Sequence, residues 1–284
     1  MTDIVFVADF FYDGQNYLGG AELTTEAIIS YCNNNVIKIE SKNLSVDFIK
    51  ENVDKKWIFG NFFFITDKIF LEIIKSKLTY DVIEYDFKYC TERSPQVHIN
   101  RTGSCNCENE FRGKLISLFF KKSRKCWFMS EKQKQVYKSK FPFLNEDKMV
   151  VLSSVFKSST LEKIIAFNSN KNNKYVIFES GNWLKGTKNC IEYAQKANYD
   201  YDLVKYLPYE MMLQKLADSK GLIFLPNAHD TCPRITIEAK LLGCDLVLGD
   251  NVLHKDEEWF SGSIDDTLSY LQGNCNKFWR SIHE

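Results

Sequence analysis

Short apolar runs rich in β-branched and aromatic residues alternate with amphipathic segments along most of the chain, the pattern of parallel strands joined by crossover helices. Ile4 to Ala8 reads as a first, fully buried strand, and residues 20 to 32 as a helix with Ala21, Ala27, Ile28 and Tyr31 near one face. Further strands fall at 36 to 40, 57 to 60, 80 to 85 and 126 to 129, with a last one at 148 to 153. Helices lie between them at about 44 to 52, 65 to 77, 111 to 124 and 131 to 139. This half makes one doubly wound domain, residues 1 to 155.

The rhythm restarts after Asn168 to Asn173, a polar stretch suited to a surface loop. Strands read at 174 to 179, 202 to 206, 221 to 225 and 244 to 248, with helices at 187 to 197, 209 to 219 and 234 to 242. The tail from Ser263 to Glu284 reads as a helix with Ile264, Leu268, Leu271 and Phe278 on its apolar side. Residues 156 to 284 thus form a second α/β domain with a terminal helix. Two such sheets predict a cleft, and ligands of such sheets bind outside the carboxyl ends of the strands.

Composition fits this division, since 284 residues with 44% apolar side chains supply two modest cores. The 37 basic residues balance 37 acidic ones, so no global field draws the chain to nucleic acid, and at most a peripheral membrane contact is expected. No stretch approaches the roughly 18 consecutive apolar residues of a spanning helix. The first residues lack the basic n-region of a signal peptide, and a cytoplasmic location is expected. Nine cysteines, an odd number, then read mostly as reduced thiols.

Three loops at predicted strand ends carry chemistry. Leu18-Gly19-Gly20-Ala21-Glu22 joins the first strand to the first helix, either as a tight turn or as a place where backbone N–H groups meet an anion. Gly181-Asn182-Trp183-Leu184-Lys185-Gly186 follows the first strand of the second domain. There Lys185 is either solvated or a point charge for a phosphate. In the third, a buried strand ends in Pro226-Asn227, a polar loop carries Asp230, and a helix beginning near Pro233 carries Glu238. Asp230 at that helix mouth suits a sugar hydroxyl, while Glu238 one turn deeper suits a vicinal diol such as a ribose. The plain alternative is a capped helix with a surface glutamate.

Pro226 to Gly243 resembles the signature of the retaining GT-B glycosyltransferases of group 1, in which two acids stand with seven residues between them, followed by an alanine, a glycine and a short apolar strand. Here Asp230 replaces the usual first glutamate, Glu238 is the second acid, and Ala239, Gly243 and the strand from Cys244 follow in register. The glycine pair at Gly19 and Gly20 and the Lys185-Gly186 pair match the other two loops of that family. The resemblance implies a GT-B fold, two Rossmann-like domains facing a cleft, with an acceptor-side first domain and a nucleotide-sugar-binding second one. It also implies sugar transfer with retention, without a catalytic metal, to a saccharide, lipid or protein hydroxyl.

Residue by residue, the resemblance places Asp230 and Glu238 as the catalytic acids. It places Gly19, Gly20, Asn182, Lys185, Cys232, Arg234 and Ile235 around the donor. There are departures. The arginine usually preceding the lysine is absent, with Asn182 standing nearest, and Arg234 offers a replacement charge. Tyr201 to Ala217 does duty for two strand–helix units, so the second domain is shortened. The acid change and the missing arginine keep a second class open, a GT-B module that binds a glycan or nucleotide without turnover.

Cys90, His98, Cys105 and Cys107 lie within 18 residues, in a polar segment read as a loop. Three thiolates and an imidazole are a structural zinc set, although the spacing is not that of a standard knuckle. Unlinked thiols, a disulfide, or a donor-assisting role for His98 are the alternatives. Lys121-Lys122-Ser123-Arg124-Lys125 reads as a basic helix end facing the helix dipole. For His254, the nearby acids Asp256, Glu257 and Glu258 predict a raised proton affinity if they are close in space.

Overall fold

The computed structural model describes residues 3 to 12, 19 to 167 and 170 to 284, so Leu18 of the glycine loop and the first two residues of the polar stretch at 168 lie outside it. By internal contacts the chain divides into a unit of Met1–Val155 with Asn274–Glu284, and a unit of Phe156–Gly273.

The first unit alternates strands and helices: β1 (Ile4–Ala8), α1 (Gly20–Ser30), β2 (Val36–Glu40), α2 (Val46–Glu51), β3 (Lys56–Phe59), α3 (Asp67–Lys75), β4 (Thr79–Glu84), α4 (Pro95–Thr102), α5 (Phe111–Lys122), β5 (Cys126–Phe128), α6 (Glu131–Lys140) and β6 (Met149–Val151). Its strands form one parallel sheet in the order β2-β1-β3-β4-β5-β6. The run IVFVA of β1 has no alternation because both faces are covered, and every one of its residues is buried. Each large apolar side chain so buried contributes about 1.5–3 kcal/mol. Aromatic rings fill one layer, with Phe119 of α5 packed edge-on to Phe59 of β3 and stacked on Tyr80 of β4.

The second unit contains α7 (Ser158–Ile165), β7 (Tyr175–Phe178), α8 (Thr187–Lys196), β8 (Tyr201–Val204), α9 (Tyr209–Ala217), β9 (Gly221–Phe224), α10 (Arg234–Leu241), β10 (Asp245–Leu248) and α11 (Glu258–Ser261). Its sheet is parallel, in the order β10-β9-β7-β8. Tyr175, Ile177, Cys190, Ala194 and Ile223 make a core between β7, β9 and α8. The chain leaves β7 for β8 on one side and returns to β9 on the other, so the topological switch point of this sheet lies between β7 and β9. In the first unit the corresponding point lies between β1 and β3.

Helix α12 (Ile264–His283) closes the chain, and from Asn274 onward it belongs to the first unit. There Asn274 Nδ2 donates to the Leu152 carbonyl at 2.8 Å, Trp279 Nε1 donates to the Ile28 carbonyl at 2.9 Å, and Phe278 packs on Trp127. Of the four residues expected on its apolar side, Leu271 and Phe278 are buried, Leu268 is half-buried, and Ile264 at the helix start is exposed. Three helices lie where sequence periodicity predicts none: α7, held by Leu161 and Ile164, α4, inside the segment read as a loop, and the single turn α11.

Candidate functional site

After β7 the chain makes a single 3-10 turn, Trp183–Lys185, whose entry is capped by Asn182 Oδ1 accepting the Leu184 amide at 3.0 Å. Gly186 follows at φ +65°, and a Cβ there would lie 2.0 Å from the Leu225 carbonyl oxygen. Only glycine lets this turn press against the end of β9. The contact is reinforced by Asn227, whose amide donates to the Leu184 carbonyl and whose Nδ2 donates to the Trp183 carbonyl. The two strand-end loops are thus knitted across the switch point, and Lys185 Nζ comes to 2.6 Å from Asp230 Oδ2.

Asp230 is held from the other side as well. Its amide donates to the Asn251 carbonyl at 2.8 Å, and its carbonyl accepts from Leu253 at 3.1 Å, a parallel bridge to the loop after β10. Its side chain is largely covered while that of Lys185 is 40% exposed, so the pair presents its cation outward. An open groove of about 620 Å³ runs beside it, lined by Ser180, Gly181, Asn182, Trp183, Thr187 and Asn227. Lys185 and Asp230 flank this groove rather than line it.

Helix α10 begins at Arg234, with Pro233 as its N-cap rather than its first helical residue, and no side-chain bond caps the first turn. Such a terminus carries partial positive charge suited to an anion. Cys232 is buried just before it, and Ile235 half-buried in its first turn. Glu238 is not a surface glutamate, for it is 1% exposed. Tyr209 donates its hydroxyl to Glu238 Oε1 at 2.8 Å, and Arg234 Nε lies 3.5 Å from the same oxygen. Burial raises the Glu238 pKa, with Arg234 and then Tyr209 pulling against it. The Arg234 guanidinium carbon lies over the Phe156 ring, 3.7 Å from its centroid. No spacing in the sequence ties Tyr209 to Glu238; only the packing of α9 on α10 brings them together.

In the first unit, Gly19 is the N-cap of α1 with ordinary extended dihedrals, Gly20 its first residue, and Glu22 already places negative charge in the first turn. A larger feature of this unit has no signature in sequence. Asp9 follows β1, Asn61 follows β3, and Glu84 ends β4, so three polar side chains meet at the carboxyl edge of the sheet. Glu84 is fully buried, bonded by Tyr137 Oη at 2.7 Å and Lys88 Nζ at 3.0 Å, and its burial pushes its pKa up to about 7. Arg93, at φ +56°, reaches Asp86 and Asn61. Asp9 Oδ2 is buried with no hydrogen-bond partner among the described residues.

The Cys and His segment closes on itself. Cys90 Sγ lies 3.7 Å from Cys105 Sγ and 3.5 Å from His98 Nδ1, and Cys107 Sγ lies 3.1 Å from His98 Nδ1. His98 Nδ1 thus faces the sulfurs of Cys90 and Cys107, and Cys105 joins the group through Cys90. The basic run behaves as a helix end, with Lys121 and Lys122 in the last turn of α5 and Arg124 paired with Asp81. His254 overturns the expectation of raised proton affinity. It is completely buried, stacked on Trp259, with Nε2 3.2 Å from Thr236 Oγ1, and desolvation lowers its pKa to about 3.

No protein-family model matches the sequence, and no curated protein does. Solved structures do resemble it. Anabaena HepE in complex with UDP and glucose matches with a TM-score of 0.56 at 12% identity, over 97% of this chain and 92% of that one. An alpha-glucosyltransferase in complex with UDP-glucose and DNA containing an abasic site matches with a TM-score of 0.56 at 10% identity, over 99% and 91%. Trehalose-6-phosphate synthase, OtsA, matches with a TM-score of 0.63 at 7% identity, over 100% and 99%. At such identities the likeness speaks for architecture, and with the two parallel sheets described above it establishes the fold as that of the GT-B glycosyltransferases.

Proposed function

We propose that this protein transfers a sugar from a nucleotide-sugar donor to a hydroxyl-bearing acceptor, with the donor held by the second unit. The observation that carries the reading is the meeting of Lys185 and Asp230, distant in sequence, at the switch point between β7 and β9 and beside the uncapped start of α10. A cation, a carboxylate and a helix N-terminus converge where such sheets bind ligands. The fold is shared with structures that hold UDP or UDP-glucose.

In this reading Lys185 and the first amides of α10 neutralise the departing diphosphate, where charge grows as the glycosidic bond breaks, so no catalytic metal is required. Arg234, seated on Phe156, adds to that field. Asp230 accepts hydrogen bonds from the transferred sugar, and Asn182, Cys232 and Ile235 line its surroundings. Glu238 reaches a ribose diol once Tyr209 turns aside, and until then it holds Arg234. Gly19 and Gly20, at the N-terminus of α1, offer backbone N–H groups of their own to a donor anion. Retention follows from the likeness of Asp230 to Glu238 to the group 1 signature. The balanced charge favours a saccharide, lipid or protein hydroxyl over nucleic acid as acceptor.

A second reading has its own observation. Glu238 is sequestered and Lys185 already paired, an arrangement equally suited to a module that binds a nucleotide or glycan without turnover. Assays with UDP-, GDP- and ADP-sugars, with and without acceptors, separate the two by turnover, and the anomeric configuration of the product tests retention. Lys185→Ala tests the site under either reading. A charge-assisted phosphate bond is worth about 1.5–3 kcal/mol, so nucleoside diphosphate affinity should fall about 10- to 150-fold while nucleoside affinity holds. Equal losses for both ligands contradict the phosphate assignment.

A further inference from the structure

We propose that Cys90, His98, Cys105 and Cys107 bind one structural zinc ion that fastens the connection between β4 and α5. This site stands apart from the donor site and does not depend on sugar transfer. All four ligand atoms lie within 4.8 Å of one another. With Zn–S near 2.3 Å and Zn–N near 2.0–2.1 Å, a tetrahedral centre has ligand–ligand edges of about 3.5–3.8 Å. Cys90–Cys105 at 3.7 Å and Cys90–His98 at 3.5 Å fall in that range, Cys107–His98 at 3.1 Å is shorter, and no pair exceeds 4.8 Å, so small side-chain adjustments close the tetrahedron. None of the three cysteines is in a disulfide.

The surroundings are those of a metal-binding turn. The amides of Glu92 and Cys107 lie beside the Cys90 and Cys105 sulfurs, each from two residues further along the chain. Thr91 Oγ1 lies 3.8 Å from the Cys107 sulfur. Such outer partners orient thiolates and offset their charge. The base is rigid too, because α5 lies so close that a Cβ on Gly113 would stand 1.9 Å from the Cys107 carbonyl oxygen.

A second argument comes from what is missing in the packing. Helix α4 carries His98 and spans eight residues without burying one of them. Its ends are well made, with Ser94 and Pro95 at the start and Gly103 in the left-handed conformation at the end. Capping alone does not hold so short a helix in water, and tertiary packing normally does. Here a metal bond through His98 takes the place of an apolar face. Four protein ligands leave no open position, which marks a structural rather than a catalytic zinc, and three thiolates select zinc over magnesium or calcium.

The benefit reaches the polar centre at the sheet edge. Arg93 donates its amide to the Cys90 carbonyl at 2.9 Å while its guanidinium reaches Asp86, so the clasp that fixes Cys90 also fixes Arg93.

Elemental analysis of the untagged full chain, purified under reducing conditions, should find zinc equimolar with protein. Thiol modification should release it, and cobalt(II) exchanged into the site should show the strong visible bands of a tetrahedral thiolate centre. A single outer partner is worth about 10- to 100-fold in affinity, so Cys105→Ser should weaken zinc binding by more than about 100-fold. Chelation should speed amide exchange across 90 to 110 and leave the second unit unchanged. Absence of metal both as purified and after zinc addition, iron in its place, or an octahedral cobalt spectrum overturns the site. Unchanged exchange after zinc removal overturns its structural role, and both readouts use the natural sequence even where the variant fails to fold.

Discussion

His254 shows how far neighbours in sequence and neighbours in space can differ. The acids following it along the chain suggest a retained proton, yet the ring sits in an apolar stack with Trp259 and Phe260, where only its loss of water counts. The folded-state pKa, lowered to about 3, lies below that of the unfolded chain. The neutral ring's contribution is therefore whole above about pH 6.5 and is lost as pH falls toward 3. Between pH 6 and 4 this residue alone should take on the order of 1 kcal/mol of stability per pH unit. His254→Gln keeps a polar end near Thr236 without a titrating group, so the wild-type minus variant stability should fall with that slope on acidification. Parallel curves from denaturant titrations across this range would show that the ring is solvated.

The residue pairs divide in a similar way by how visible they were. Lys185, Asp230 and Glu238 announced themselves by their places after predicted strands. That Lys185 would meet Asp230 at 2.6 Å, and that Glu238 would be occupied by Tyr209, came only with the fold. Their partners are far away in sequence and follow no period. The same holds for Asp9, Asn61, Glu84 and Arg93, which β1, β3 and β4 bring to one sheet edge.

At the scale of elements, the turn at Gly186 governs the donor site because it sets β7's loop against β9's. Gly186→Ala combines a left-handed backbone with a methyl driven into the Leu225 carbonyl, and neither can relax without moving the Asp230 loop. It should cost the second unit at least about 2 kcal/mol, together with nucleotide affinity. Gly181→Ala is the control, since a Cβ there meets nothing within 4 Å, and it should stay within about 0.5 kcal/mol of the parent. Equal stability of the two variants in thermal or denaturant unfolding would remove the turn from this account.

Most elements were legible because buried parallel strands read as unbroken apolar runs and most of their crossover helices as amphipathic ones. The exceptions have physical reasons. Helix α4 buries nothing and so has no apolar period, and only its end signals, Ser94-Pro95 and Gly103, betray it. Helix α7 shows just Leu161 and Ile164, too few to stand out from a linker.

At the scale of the molecule, two parallel α/β units each have a switch point with polar side chains at its carboxyl edge, one rich in buried acids and bases, the other exposing a lysine beside a helix N-terminus. The doubly wound pattern was readable from the sequence. The meeting of the end of α12 with β6, α1 and β5 was not, since it joins residues more than 100 positions apart. The central claim is that the second unit holds the diphosphate of a nucleotide sugar. Hydrogen exchange of the full chain with saturating UDP, GDP or ADP tests it most directly, because it reports both binding and place. One of these nucleotides should slow exchange across 180 to 190 and 226 to 238, covering the Lys185 turn, the Asp230 loop and the start of α10. Protection by none of them, or protection confined to other segments, would contradict the assignment.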